Sequence, residues 1–112
     1  MNPGLIAESM HEEMDILTKL VDEMTAAGIA LAGAERDYKV QHAKARLRAR
    51  ASGEHKTVDA VNDYATLECA DSLFSYTLAQ STLTTVREAL RASEARLDAL
   101  RSMSASIRGA GG

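Results

Sequence analysis

MHEEMDILTKLVDEMTAAGIALAGAERDYKVQHAKA, residues 10–45, holds a seven-residue repeat that decides the fold. Met10, Leu17, Met24, Leu31, Tyr38 and Ala45 stand at heptad spacing, and Leu20, Ala27 and Ala34 form a second row three residues after members of the first. Two apolar rows offset in this way place one stripe on a helix and turn it toward a partner helix, the pattern of coiled-coil-like packing. The second half repeats it. Tyr76, Leu83, Leu90 and Leu97 make one row, and Ala79, Val86, Leu100 and Ile107 lie on the other.

Composition agrees with long helices. Of 112 residues, 46% are apolar, only four are aromatic (Tyr38, Tyr64, Phe74, Tyr76), and the one proline is at position 3. Little is left for a sheet, which draws on β-branched and aromatic residues and frequent turns. No run is long and apolar enough to span a membrane. Acids stand near the N-terminus where a signal peptide carries bases, and the single cysteine, Cys69, has no partner for an internal disulfide. We therefore expect a cytoplasmic protein in a reducing compartment.

Ser52-Gly53-Glu54-His55-Lys56-Thr57 is the strongest interior punctuation. Gly53 suits the left-handed backbone that ends many helices, and Thr57 reads as the N-cap of a helix with Asp59 in its positive first turn. We expect one all-α domain over 1–108: arm one about 5–52, a turn at 53–57, arm two 58–107, and a flexible Gly-rich tail at 109–112. A short loop joins antiparallel neighbours, so the arms form a long two-helix hairpin in which position i lies near 109 − i. Leu31 then meets Leu78, Gly28 meets Ser81, and Met24 meets Thr85 and Val86. Because the heptad row crosses Gly28 without a phase slip, the preferred reading is one continuous helix with a close crossing at Gly28. A break there, giving three helices, is the alternative.

Beyond the main rows, Ile6, Met14, Ile16, Val21 and Ile29 widen the apolar stripe of arm one past what a two-helix hairpin covers. This predicts self-association through Met10, Met14, Leu17, Val21, Met24 and Leu31, giving a homodimer with a four-helix core, or docking on a larger partner.

The net charge of −3 hides an asymmetry. Residues 1–38 carry eight acids and two bases; residues 39–56 carry Lys39, Lys44, Arg46, Arg48, Arg50 and Lys56 against Glu54 alone. A clustered basic tip attracts phosphate backbones through counterion release. The same bases also suit a helix C-terminus, and across a hairpin they can pair with Asp59, Asp63 and Glu68. Both readings stand. With no aromatics among the bases, nucleic-acid contact would carry little sequence preference.

Catalytic chemistry finds no support. His11 and Asp15 share a helix face without the second histidine of a zinc-peptidase helix. Cys69 falls on a heptad row and reads as a small buried residue, and the glycines form no phosphate cradle. We expect a non-enzyme with no cofactor and no metal.

Ala34-Glu35-Arg36-Asp37-Tyr38-Lys39, Ala43-Lys44-Ala45-Arg46-Leu47-Arg48-Ala49 and Gly53 resemble a small family of bacteriophage proteins, as do Thr57-Val58-Asp59-Ala60, Arg87-Glu88-Ala89-Leu90-Arg91 and Leu97-Asp98-Ala99-Leu100-Arg101-Ser102. That family consists of helical hairpins encoded among replication and recombination genes. The resemblance covers roughly residues 34–108; residues 1–33 depart from it. It implies a hairpin turn at Gly53 and Thr57, a basic stretch at Lys39–Arg50, and a non-enzymatic accessory role in phage DNA replication or recombination in the host cytoplasm. Its partner would be nucleic acid or a recombination or replication protein. A protein-interaction or inhibitor module docking a host or phage protein through arm one is the alternative, as is a structural assembly component.

Overall fold

The computed structural model describes residues 2–111, which form three helices: α1 (Pro3–Ser52), α2 (Val58–Glu68) and α3 (Ala70–Gly111). No strand occurs among the described residues.

Local chemistry accounts for each boundary. Asn2 Oδ1 accepts the Gly4 amide at 2.7 Å, and Pro3 takes the first helical position, where its missing N–H costs nothing. α1 then runs through Gly28 and Gly33 without a break. It ends where Gly53 takes φ +72, a left-handed conformation, with the Gly53 amide donating to the Arg50 carbonyl at 3.3 Å. Thr57 caps α2 as its sequence position predicts, its hydroxyl accepting the Ala60 amide at 3.0 Å. Asp59 sits in the first turn.

The second arm departs from the expected single helix at Cys69. There the backbone relaxes to φ −103, ψ 20. The Ser72 hydroxyl donates to the Cys69 carbonyl at 3.1 Å, the kind of side-chain hydrogen bond that bends helices. Cys69 N still donates to Ala65 O and Leu73 N to Cys69 O, at 3.1 and 2.9 Å, so helical bonding is kept on both sides of the joint. α3 continues past residue 107 through Gly109 to Gly111, and α1 begins at Pro3 rather than at residue 5.

The chain divides into two compact units. Unit 1 combines residues up to Ala26 with those from Thr84 on; unit 2 is Ala27–Leu83. In unit 1, Ile6, Glu13, Ser93 and Leu97 are buried, with Met10, Leu17, Leu20, Met24, Val86, Leu90 and Leu100 half-buried around them. In unit 2 the centre is Ala45, Ala65 and Cys69, with Tyr38 packed against it. Tyr38 and Tyr76 lie with ring centroids 5.9 Å apart, and Tyr38 and His42 at 5.5 Å. The centre of unit 2 therefore carries little side-chain bulk and is bordered by aromatic rings.

Three packing expectations are corrected. Ile6 is among the most buried residues of the chain rather than part of an exposed stripe, because it continues the row Leu20–Ala27–Ala34 backward by heptads. Leu78, expected against Leu31, is exposed. Gly28 makes no close crossing with Ser81: a Cβ built at Gly28 or at Gly33 meets nothing within 4 Å.

Candidate functional site

The six bases proposed from sequence fall into three environments. Lys39 is engaged: its Nζ donates to Glu35 Oε1 at 2.6 Å one turn back, and that bond raises the Lys39 pKa above the usual lysine value. Arg46 is half-buried, and its Nε is buried without a hydrogen-bond partner. Lys44, Arg48, Arg50 and Lys56 are exposed. The expected pairing of these bases with Asp59, Asp63 and Glu68 is not formed; among the described residues no carboxylate lies within 4.0 Å of the four. Glu68 instead sits beside the Tyr64 hydroxyl, and their hydrogen bond, with burial second, raises the Tyr64 pKa.

Helix geometry distributes the bases. Lys44 and Arg48, four apart, share one side of α1; Arg46 and Arg50 share another, about 200° round. The row between them holds Tyr38, Ala45 and Ala49, which face the unit 2 core. His42 Nε2 lies 3.4 Å from Thr66 Oγ1, and the His55 ring is 4.7 Å from that of Tyr64. The basic segment therefore has its inner side fixed by aromatic and hydroxyl contacts, with charges flanking it.

The self-association residues divide as well. Met10, Leu17, Met24 and Leu31 are half-buried and serve intrachain packing, whereas Met14 and Val21 are 50% and 45% exposed.

One polar centre escaped the sequence reading. Glu13 Oε1 accepts from the Ser93 hydroxyl at 2.7 Å and from Arg96 Nε at 3.0 Å, inside unit 1. The Ser93 hydrogen bond, opposed by desolvation and assisted by Arg96, lowers the Glu13 pKa below the ordinary 4.5. An open groove of about 410 Å³ adjoins it, lined by Ser9, Glu12, Ile16, Ala99 and Leu100 beside Glu13 and Arg96. A signal was present: Glu13 and Ser93 fill the single gaps in the rows 6–13–20–27–34 and 79–86–93–100–107. Two polar residues, each excluded from an apolar row, find each other in the core.

Among the described residues no three His, Cys, Asp or Glu side chains group to hold a metal ion, and no helix is long and apolar enough to cross a membrane. The one cysteine is buried. Comparison with protein-family models, with curated proteins and with solved structures finds no match.

Proposed function

We propose that the chain is a non-enzymatic accessory protein of bacteriophage DNA replication or recombination, an antiparallel helical hairpin that acts by contact. Lys44, Arg48, Arg50 and Lys56 meet nucleic acid or another polyanionic partner in the host cytoplasm. The observation that supports this reading is the exposure of all four without an ion pair among the described residues. Bases unengaged within the chain lose no intrachain bond when a phosphate arrives, and each contact releases counterions. Lys39, held by Glu35, and Arg46, half-buried, contribute less.

Fluorescence anisotropy with single- and double-stranded oligonucleotides at two salt concentrations tests this. Binding should fall steeply with salt, and each of Lys44→Gln, Arg48→Gln and Arg50→Gln should reduce the slope of log K against log salt by about 1. Binding that is absent at low salt, or unchanged when all three are replaced, overturns it.

A second reading rests on the exposure of Met14 and Val21. Side by side along α1 of unit 1, they suit self-association into a four-helix bundle or docking on a host or phage protein.

A further inference from the structure

Unit 2 carries a pattern that its core does not use. On α1, Arg36, Val40, Lys44 and Leu47 are all exposed, the two apolar members to 46% and 63%. Across α2 and the start of α3, Asp63, Leu67, Asp71 and Phe74 are exposed too, Leu67 to 78% and Phe74 to 69%. Both quartets step by four, four and three residues, so each forms a single stripe on its helical surface. The order is base, aliphatic, base, aliphatic on one stripe and acid, aliphatic, acid, aromatic on the other. The chain's only phenylalanine is among them.

The stripes look away from the unit 2 core in opposite directions. Val40 stands two residues, about 200° of turn, from Tyr38, and Leu47 stands two from Ala45 and from Ala49. Leu67 bears the same relation to the buried Ala65 and Cys69. Cys69 separates α2 from α3, but its bonds to Ala65 O and from Leu73 N keep helical spacing on either side of it, and Asp63, Leu67, Asp71 and Phe74 are all exposed.

We infer that each stripe is the docking surface for the opposite stripe of a second copy of this chain. Laid in the same direction, Arg36 faces Asp63, Val40 faces Leu67, Lys44 faces Asp71 and Leu47 faces Phe74. Laid in reverse, Lys44 falls on Leu67 and Leu47 on Asp63, and a shift of one turn that restores the charge pairs sets Leu47 opposite Ala60 and Phe74 opposite Gly33, so the parallel arrangement alone matches all four pairs. The charges are available: among the described residues Lys44, Asp63 and Asp71 form no ion pair, and Arg36 holds only its neighbour Asp37 at 3.4 Å. Because unlike surfaces meet, the contact is head-to-tail. Every copy added leaves one stripe of each kind free, and assembly continues until a ring closes. The contact goes beyond the nucleic-acid reading, withdraws Lys44 from that surface while leaving Arg48, Arg50 and Lys56 on it, and is tested without nucleic acid.

Sedimentation velocity across a concentration series measures it, in a Met14→Glu/Val21→Glu background that removes association through the exposed residues of the first half of α1. The average mass should rise with concentration past two copies. Val40→Glu/Leu47→Glu closes one stripe, and Leu67→Glu/Phe74→Glu closes the other. Circular dichroism confirms that both variants remain helical. Each alone should stay at the smallest mass, and an equimolar mixture should form a one-to-one complex, since each variant keeps one open stripe. In a gentler pair, Lys44→Asp and Asp71→Lys should each lose growth, and their mixture should regain it. A mass that does not rise with concentration overturns the inference, as do closed-stripe variants that grow like their parent or mixtures that fail to associate.

Discussion

Units 1 and 2 use the same two-row apolar pattern and fill its centre in opposite ways. Unit 1 places a carboxylate, Glu13, and a hydroxyl, Ser93, in the row positions and joins them at 2.7 Å. Unit 2 places Ala45, Ala65 and a cysteine there, with nothing polar among them. A hydrogen bond is directional and short, so unit 1 is held to one alignment of its helices: a slip of one turn would leave Glu13 buried without its donors. Alanine pairs are indifferent to direction and sensitive to volume. The same heptad grammar therefore specifies alignment by chemistry in one unit and by steric fit in the other.

The steric half of that contrast breaks with the largest effect. Ala65→Leu forces a branched side chain into a position with no exposed surface and should destabilise the protein by about 3 kcal/mol, read from the urea unfolding midpoint. An unchanged midpoint would mean that unit 2 has room at its centre.

Ser93→Ala probes the chemical half and should cost about 1–2 kcal/mol, because Glu13 keeps only Arg96 as a donor. The same variant alters the acid response. A carboxyl held below its ordinary 4.5 contributes stability that is fully present above that value and disappears as pH falls through the lowered one. The wild type should therefore lose more stability than Ser93→Ala when unfolding is followed from about pH 6 to about pH 3. Equal losses would place the acid sensitivity elsewhere.

The smallest effect sharpens the comparison at a position with no close neighbour. Gly28→Ala adds a Cβ that meets nothing within 4 Å, so better helix propensity should raise stability by up to about 1 kcal/mol, visible as a higher Tm. A fall in Tm would restore a close approach at Gly28.

These residues also mark what could be read from the sequence. The apolar rows, the left-handed Gly53 and the Thr57 cap follow from local rules, and the sequence carries them openly. Apolar members alone define the rows, so Glu13 and Ser93, the two interruptions, carry no apolar mark although their spacing places them in the core. The distortion at Cys69 has no glycine or proline to announce it; it is accompanied by a Ser72 hydroxyl bond, visible only once the helix exists. The glycines of α1 signalled a penalty in propensity, and a penalty does not say whether the space beside it is filled. Charge balance marks the basic segment, but which base meets which acid depends on rotation about α1, and a count of charges carries no rotation.

The position of Cys69 has a kinetic consequence. The residue is 3% exposed at the helix joint of unit 2, and the chain has no other cysteine. An alkylating reagent can reach it only when unit 2 opens, so the labelling rate under native conditions is a clock for that opening alone. Unit 1, which contains no thiol, is invisible to the reagent. Nature has thus left a single-site reporter inside one unit, and comparing its labelling with the exchange of amide protons in unit 1 would reveal whether the two open together or apart.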